Sequence, residues 1–314
     1  MTAVQEQART SRTHSTRTSR PQSALTRKKA AAGQRFIVPN LLAVLIFMLI
    51  PLLFSLYLSF QHWDLFHTPR FVGVSNYRRL FTGDPMFYIA LVNTVIFTIA
   101  TVVPTIVISL AVAAALNAKV RGIGIFRSIM FLPLISSVAA MAVVWNYMFD
   151  PDTGVLNSVL HWFGIGAVPW LVDPHWALAS LCVVSVWKSV PFAAAVLLAA
   201  MQGVPEDLHE AARIDGANGF RRFLSITVPL IRPALGFVFV ISIINSFQAF
   251  DQAYVLTGGA GGPESGTYIF GIMLFQNAFQ FDDLGYASAL AWVLFAILLI
   301  LTYLQLRMGR KDEA

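Results

Sequence analysis

Six long apolar runs dominate the chain, separated by shorter polar stretches. They cover about Phe36–Phe60, Ile89–Leu116, Ile125–Phe149, Trp176–Met201, Pro233–Leu256 and Leu284–Leu306. Each reaches the ~20 residues that a helix needs to cross a bilayer. The pattern predicts an all-α polytopic membrane protein with six transmembrane helices. The first run is too long for a signal-peptide core, and no small-x-small cleavage site follows it. Pro51, Pro104, Pro133 and Pro191 fall inside runs and predict kinks, because each removes a backbone donor. Neighbouring helices can satisfy the freed carbonyls in a membrane bundle.

A polar, helix-forming island separates the fourth and fifth runs. Pro205 suits a first helical turn, where its missing N–H has no partner to lose. Glu206 and Asp207 place negative charge at the positive end of the helix dipole. Gly216 can take the left-handed conformation that ends a helix. Residues 205–215 therefore read as one short helix. Asn218 can cap a second, through Phe220, Phe223 and Leu224, ending before Pro229. Leu208, Ala211 and Ala212 are spaced to share one face. A helix of ~11 residues is marginal alone in water, so something must hold it. Two readings stand open on physics alone: docking into a partner's groove, or a solvated hairpin with no partner.

Composition agrees with a bilayer protein. Of 314 residues, 57% are hydrophobic and only 12% charged, against about 25% charged in soluble domains. The formal charge of +6 is distributed by topology and is no sign of nucleic-acid binding. With the N-terminus inside, eighteen Lys and Arg fall on inside segments; only Arg70, Arg78 and Arg79 fall outside. That asymmetry predicts cytoplasmic N and C termini. Residues 1–35 are rich in Ser, Thr and Arg and cannot bury a core. Such a composition also occurs in organelle transit peptides, but a disordered cytoplasmic tail that helps fix orientation suits the rest of the chain better. The expected organisation is this tail, a first span at 36–60, an outside loop at 61–88, a core at 89–307 and a short tail at 308–314. A cytoplasmic loop at 203–232 interrupts the core. Trp145, Trp162, Trp170 and Trp176 gather near the second outside loop, as interfacial aromatics do.

Chemistry is sparse. The single cysteine, Cys182, lies in an apolar run and reads as a small buried hydrophobe. No Cys/His spacing resembles a metal site. No Gly-x-x-x-x-Gly-Lys-Ser/Thr occurs, so the chain is not expected to hydrolyse ATP. Lys188 stands in the middle of the fourth run, about 13 residues from either end. At 1.5 Å per residue that is ~20 Å, too far to snorkel. A charge there costs about 2.5–3.5 kcal/mol on insertion scales and faces a cavity or a partner by default. Asp251, in the fifth run, is its candidate counter-ion, and a Lys–Asp pair that only fixes packing is the alternative to a ligand contact.

The island carries a resemblance. Glu210-Ala211-Ala212, then Gly216, then Ile226, Val228 and Pro229 resemble the signature loop of permeases of binding-protein-dependent ABC importers, with Val where Leu is commoner. Asn93-Thr94 looks like the start of that family's core. Asp251-Gln252-Ala253-Tyr254-Val255-Leu256-Thr257-Gly258-Gly259 is similar to a tract of sugar permeases of the maltose and glycerol-3-phosphate type. His62-Trp63-Asp64 and Phe71-Val72-Gly73-Val74-Ser75-Asn76-Tyr77 fit the same subfamily. The resemblance covers about residues 36–307.

It implies a type I ABC importer permease fold in a bacterial cell membrane. It also implies a second permease subunit, two ATPase subunits that bind ATP and Mg, and an extracytoplasmic binding protein delivering a carbohydrate. No cofactor is expected in this chain. Glu210, Ala211, Ala212 and Gly216 would form the coupling site, with Arg213 and Asp215 at its rim. The maltose-type sugar site maps by position to Lys188, Ser189 and Phe192, and to Ser246 and Gln248. Several of these depart from the maltose-type pattern, and Lys188 would suit an anionic ligand. A glycerol-3-phosphate or glycerophosphodiester importer is the alternative substrate class. An autonomous secondary transporter should show paired intramembrane carboxylates or repeat halves, and neither is present. A membrane-embedded enzyme would need a larger polar cluster than Lys188 with Asp251.

Overall fold

The computed structural model describes residues 37–118 and 121–309. The basic tail expected over 1–35, Lys119 and the last residues of the 308–314 tail lie outside them. The chain divides into two units, Met1–Phe54 and Ser55–Ala314. In the first, the described residues form most of helix α1 (Ile37–Leu58), and all their side chains are exposed. The second unit holds everything else.

That unit begins with a two-residue antiparallel pair, β1 (Gln61–His62) with β2 (Arg70–Phe71), a small departure from the all-α expectation. A short helix α2 (Ser75–Arg78) leads to the 32-residue α3 (Pro85–Leu116). Asp84 caps α3 by accepting from Met86 N at 2.9 Å, with Pro85 in the first turn. At its other end, Arg127 donates to Leu116 O at 2.8 Å. α4 (Ile123–Ile135) and α5 (Val138–Met148) follow, then α6 (Val155–Trp162) and the 29-residue α7 (Pro174–Gln202). The remaining elements are α8 (Glu206–Ile214), α9 (Gly219–Leu230), α10 (Arg232–Phe247), α11 (Asp251–Leu256), α12 (Phe270–Phe279) and α13 (Leu284–Gly309).

Among the described residues four helices, α1, α3, α7 and α13, are long and apolar enough to cross a membrane. The other two expected spans are not single rods. The third is a broken pair, α4 and α5, meeting at 102°. Pro133 lies just before the break. Helices α3 and α7 run through Pro104 and Pro191 without interruption. The fifth run ends as a helix at Phe247, and residues 248–250 separate it from α11. Gly271 of α12 packs against that link so closely that a side chain on it could not fit beside Ala249 O. At its other end α10 meets α9 at 71°. The second short helix does not end before Pro229; a π-helical stretch, Phe223–Thr227, carries α9 through it to Leu230.

Two apolar clusters organise the unit. The larger joins Phe87 and Phe97 of α3, Leu181 of α7, Ile272 and Met273 of α12, and Tyr286 and Leu290 of α13. The smaller joins Ala113 and Leu116 of α3, Leu197 and Met201 of α7, Ile231 and Val238. Near the first cluster, two expected interfacial tryptophans, Trp145 and Trp170, turn inward. Both pack on Phe149; Trp176 touches Trp170 but stays exposed, and Trp162 projects outward. Asn157 fixes this arrangement by accepting from Trp170 Nε1 and Val168 N and donating to Pro151 O and Val168 O.

A polar latch ties α3 to α13. The fully buried Tyr286 donates to Asp84 Oδ2 at 2.7 Å, and the Arg79 guanidinium lies 4.1 Å from its ring centre while bonding Asp283. Hydrogen bonds to charged groups contribute about 1.5–3 kcal/mol. Tyr286→Phe is therefore expected to lower the melting temperature of the detergent-solubilised protein by several degrees; an unchanged melting curve would contradict that assignment.

Candidate functional site

The island between α7 and α10 has the expected local chemistry with small shifts. Pro205 occupies the position just before α8 and not its first turn, so the helix is Glu206–Ile214. Its end is a complete glycine cap. Gly216 has φ +79°, its N–H donates to Arg213 O at 3.0 Å, and Ala217 N donates to Ala212 O at 2.9 Å. Asn218 then caps α9 by accepting from Arg221 N at 2.8 Å.

This places Glu210, Ala211, Ala212, Arg213, Asp215 and Gly216 on one short helix and its cap. Its faces differ from the expected grouping. Ala212 and His209 are half-buried on the inner side, whereas Leu208, Glu210, Ala211, Arg213 and Asp215 are exposed. Large apolar side chains are exposed with them: Ile214 at 88% and Phe220 at 73%. Behind the helix lies a cavity of about 640 Å³, bordered by Asn117, Gln202, His209, Arg213 and Arg222. Exposed apolar side chains beside charged ones suit a protein partner better than water.

The second group of expected site residues lies on α7, α10 and α11. Lys188 does not reach Asp251. Its ammonium donates to Pro133 O at 2.9 Å and Ser136 O at 3.0 Å, at the α4–α5 break. The expected counter-ion is thus replaced by backbone carbonyls that the break leaves free. Ser246 Oγ shares a hydrogen bond with Thr101 Oγ1 of α3 at 3.0 Å. Ser189 is half-buried, and Phe192 is exposed. Gln248 and Asp251 are both exposed, and Asn245, three residues earlier, is exposed too. Polar side chains in an apolar run belong by default against a water-filled path or a partner, not against lipid.

Beside this row stands an aromatic group that the sequence reading missed. The Phe250 ring lies 4.7 Å from Phe275 and 5.2 Å from Tyr254, and Phe275 lies 5.1 Å from Phe279. Gln276 bonds Tyr268 and Gly259 O, and Gln280 approaches the Tyr254 hydroxyl at 3.4 Å. Half of this group rides on α12, whose ten residues are too few to signal a span. The spacing of Phe275, Gln276, Phe279 and Gln280 was the available hint. Asn93 and Thr94 hold the segment before α12, through Ser265 O, Tyr268 O and Phe270 N. Gln252 ties α11 to Ser185 of α7 at 2.7 Å. Aromatic faces beside amide groups can stack on a ring and hydrogen-bond hydroxyls.

Comparison with known proteins agrees with this architecture. The chain is 38% identical over 280 residues to a probable ABC transporter permease, YesP, of Bacillus subtilis (strain 168), covering 88% of this chain and 89% of that one. It is 35% identical to the trehalose/maltose transport system permease MalF of Thermococcus litoralis, covering 92% and 97%. It is also 35% identical to the lactose transport system permease LacF of Rhizobium radiobacter, covering 93% and 98%. The fold matches that of a chain of a bacterial ABC transporter that imports alginate, with TM-score 0.75, 22% identity and coverage of 90% and 96%. Residues 90–311 match the family described as binding-protein-dependent transport system inner membrane component. The chain belongs to that family, as a multi-pass permease of an ABC transporter in the bacterial inner membrane.

Proposed function

We propose that the chain is the permease subunit of a carbohydrate importer, passing sugar from an extracytoplasmic binding protein to the cytoplasm by alternating access. The observation that carries the substrate class is the exposed Asn245–Gln248–Asp251 row beside the Phe250–Phe275–Phe279 rings. The names of the relatives that handle trehalose, maltose and lactose support it. The loop at 203–232 faces the cytoplasm in this reading, in line with its basic residues. There α8 lies in a groove of one of two ATPase subunits, which bind ATP and Mg and perform the hydrolysis. The exposed Leu208, Ile214 and Phe220 supply apolar contact, and Arg213 and Asp215 flank it. A second permease subunit completes the pore, since the polar row needs an opposite wall.

A phosphorylated ligand is disfavoured because the Lys188 ammonium is directed at two carbonyls. The decisive test reconstitutes the chain with its partner subunits in liposomes. Uptake of a neutral oligosaccharide should require the loaded binding protein. It should vanish when the phosphate-binding lysine of the ATPase is replaced. Uptake that persists without ATP hydrolysis, or that is driven by an ion gradient, would overturn the proposal.

A further inference from the structure

A lysine at the midpoint of an apolar helix calls for a ligand, a carboxylate or some other electrostatic partner. Lys188 has the third kind. Helix α4 stops at Ile135, and its last carbonyls have no N–H of the next turn to accept from. Within a bilayer water is scarce, so carbonyls freed there are best served by protein donors. Ser136 Oγ takes Leu132 O at 3.1 Å. Lys188 Nζ takes Pro133 O at 2.9 Å and Ser136 O at 3.0 Å. The cation also sits at the negative end of the α4 dipole, where positive charge is favoured.

The position of the break gives this contact its consequence. Beyond the 102° turn, α5 packs against α11, which opens with Asp251 and carries Tyr254. The angle at the elbow therefore bears on where α11 lies, together with the Gln252–Ser185 bond to α7. We infer that Lys188 is a positioning residue that locks the α4–α5 elbow, serving the conformational cycle of transport and not the binding of substrate. The part of this inference that concerns transport rests on the importer function proposed above.

The test compares Lys188→Met and Lys188→Arg in the complete reconstituted transporter, with spin labels at Ile129 and Val144 on either side of the elbow. Methionine fills the space without donating; arginine keeps the charge and the donors. Lys188→Met should broaden the 129–144 distance distribution. It should cut maximal uptake about tenfold or more, with half-saturation by the loaded binding protein held within about twofold. Lys188→Arg should restore both. An unchanged label distance in Lys188→Met overturns the lock. So does a shifted half-saturation with the distance intact, which would make Lys188 a substrate contact. If the unsubstituted transporter shows no uptake dependent on a binding protein, the proposed function fails instead, and the label distance in the isolated chain still decides the lock.

Discussion

Gly216→Pro is expected to abolish ATP-driven uptake while the chain remains in the membrane at ordinary levels. Three features of the cap act together. The residue has φ +79°, and proline is confined near −65°. Its N–H donates to Arg213 O, and proline has none to give. Its turn lets Ala217 N close back on Ala212 O, so the last turn of α8 frays once the turn is lost. Nothing lies within 4 Å of an added Cβ, so the effect is one of backbone conformation and not of crowding. Gly216→Asn should therefore keep much of the activity, because Asn tolerates the left-handed region, whereas Gly216→Val should lose most of it. A left-handed non-glycine residue costs roughly 1–2 kcal/mol, enough to misplace a nine-residue helix but not to unfold the bundle. Uptake and ATPase activity would be measured beside the amount of chain in the membrane fraction. Ordinary uptake by Gly216→Pro would remove the coupling role from this loop.

Gly271→Ala should fail earlier, at folding. A Cβ at Gly271 would collide with Ala249 O and lie 3.2 Å from Phe250 Cβ. Ala249 O is backbone in the short link between α10 and α11, so it cannot swing aside as a side chain would. Overpacking a core commonly costs ~1–3 kcal/mol and occasionally more; a collision with backbone belongs at or beyond the upper end. The expected outcome is a large fall in monodisperse protein recovered in detergent and a melting temperature lower by many degrees. Gly124→Ala is the matched control, since nothing lies within 4 Å of its added Cβ. Equal recovery of the two variants would show that α12 can move away from the link.

These two glycines also mark what the sequence could and could not disclose. Gly216 was legible because its role is local: a short run of caps, charges and turn residues specifies a helix and its end. The long spans were legible for the same reason, as length and hydropathy are local sums. The close approach at Gly271 depends on a residue 22 positions away, and no periodicity records it. A kink at Pro133 was expected, but not that α4 would stop at Ile135, and the break at Ala249 was hidden, because an apolar run reads the same whether or not its backbone is continuous. Lys188 was correctly marked as needing a partner. Its partners were misassigned because backbone carbonyls become available only where a helix stops, and that stop was not foreseen. Helix α12 was lost to a length threshold. Within the candidate path, Gln248 and Asp251 were found as polar residues in an apolar run, while Phe250, Phe275 and Phe279 look like ordinary packing until the structure sets them side by side.

The buried face of α3 carries Thr94, Thr98, Thr101, Thr105 and Ser109, and α7 is the helix it packs against most extensively. Two of these hydroxyls bond their own helix, Thr94 to Ala90 O and Thr101 to Phe97 O. Large interlocking side chains resist sliding, because each must leave its hole before entering the next. A seam of small side chains lets helices approach closely without such interlocking. Bonds that a helix makes to itself also travel with it. The hydroxyls of this face tie α3 to its neighbours by a few bonds only, Ser109 Oγ to Val190 O of α7, Thr101 with Ser246 of α10 and Thr94 with Phe270 N, while Phe97 and Leu116 pack against Leu181 and Leu197 of α7. Any movement of α3 against α7 would then have to break the Ser109–Val190 bond and also repack the two apolar clusters that join these helices.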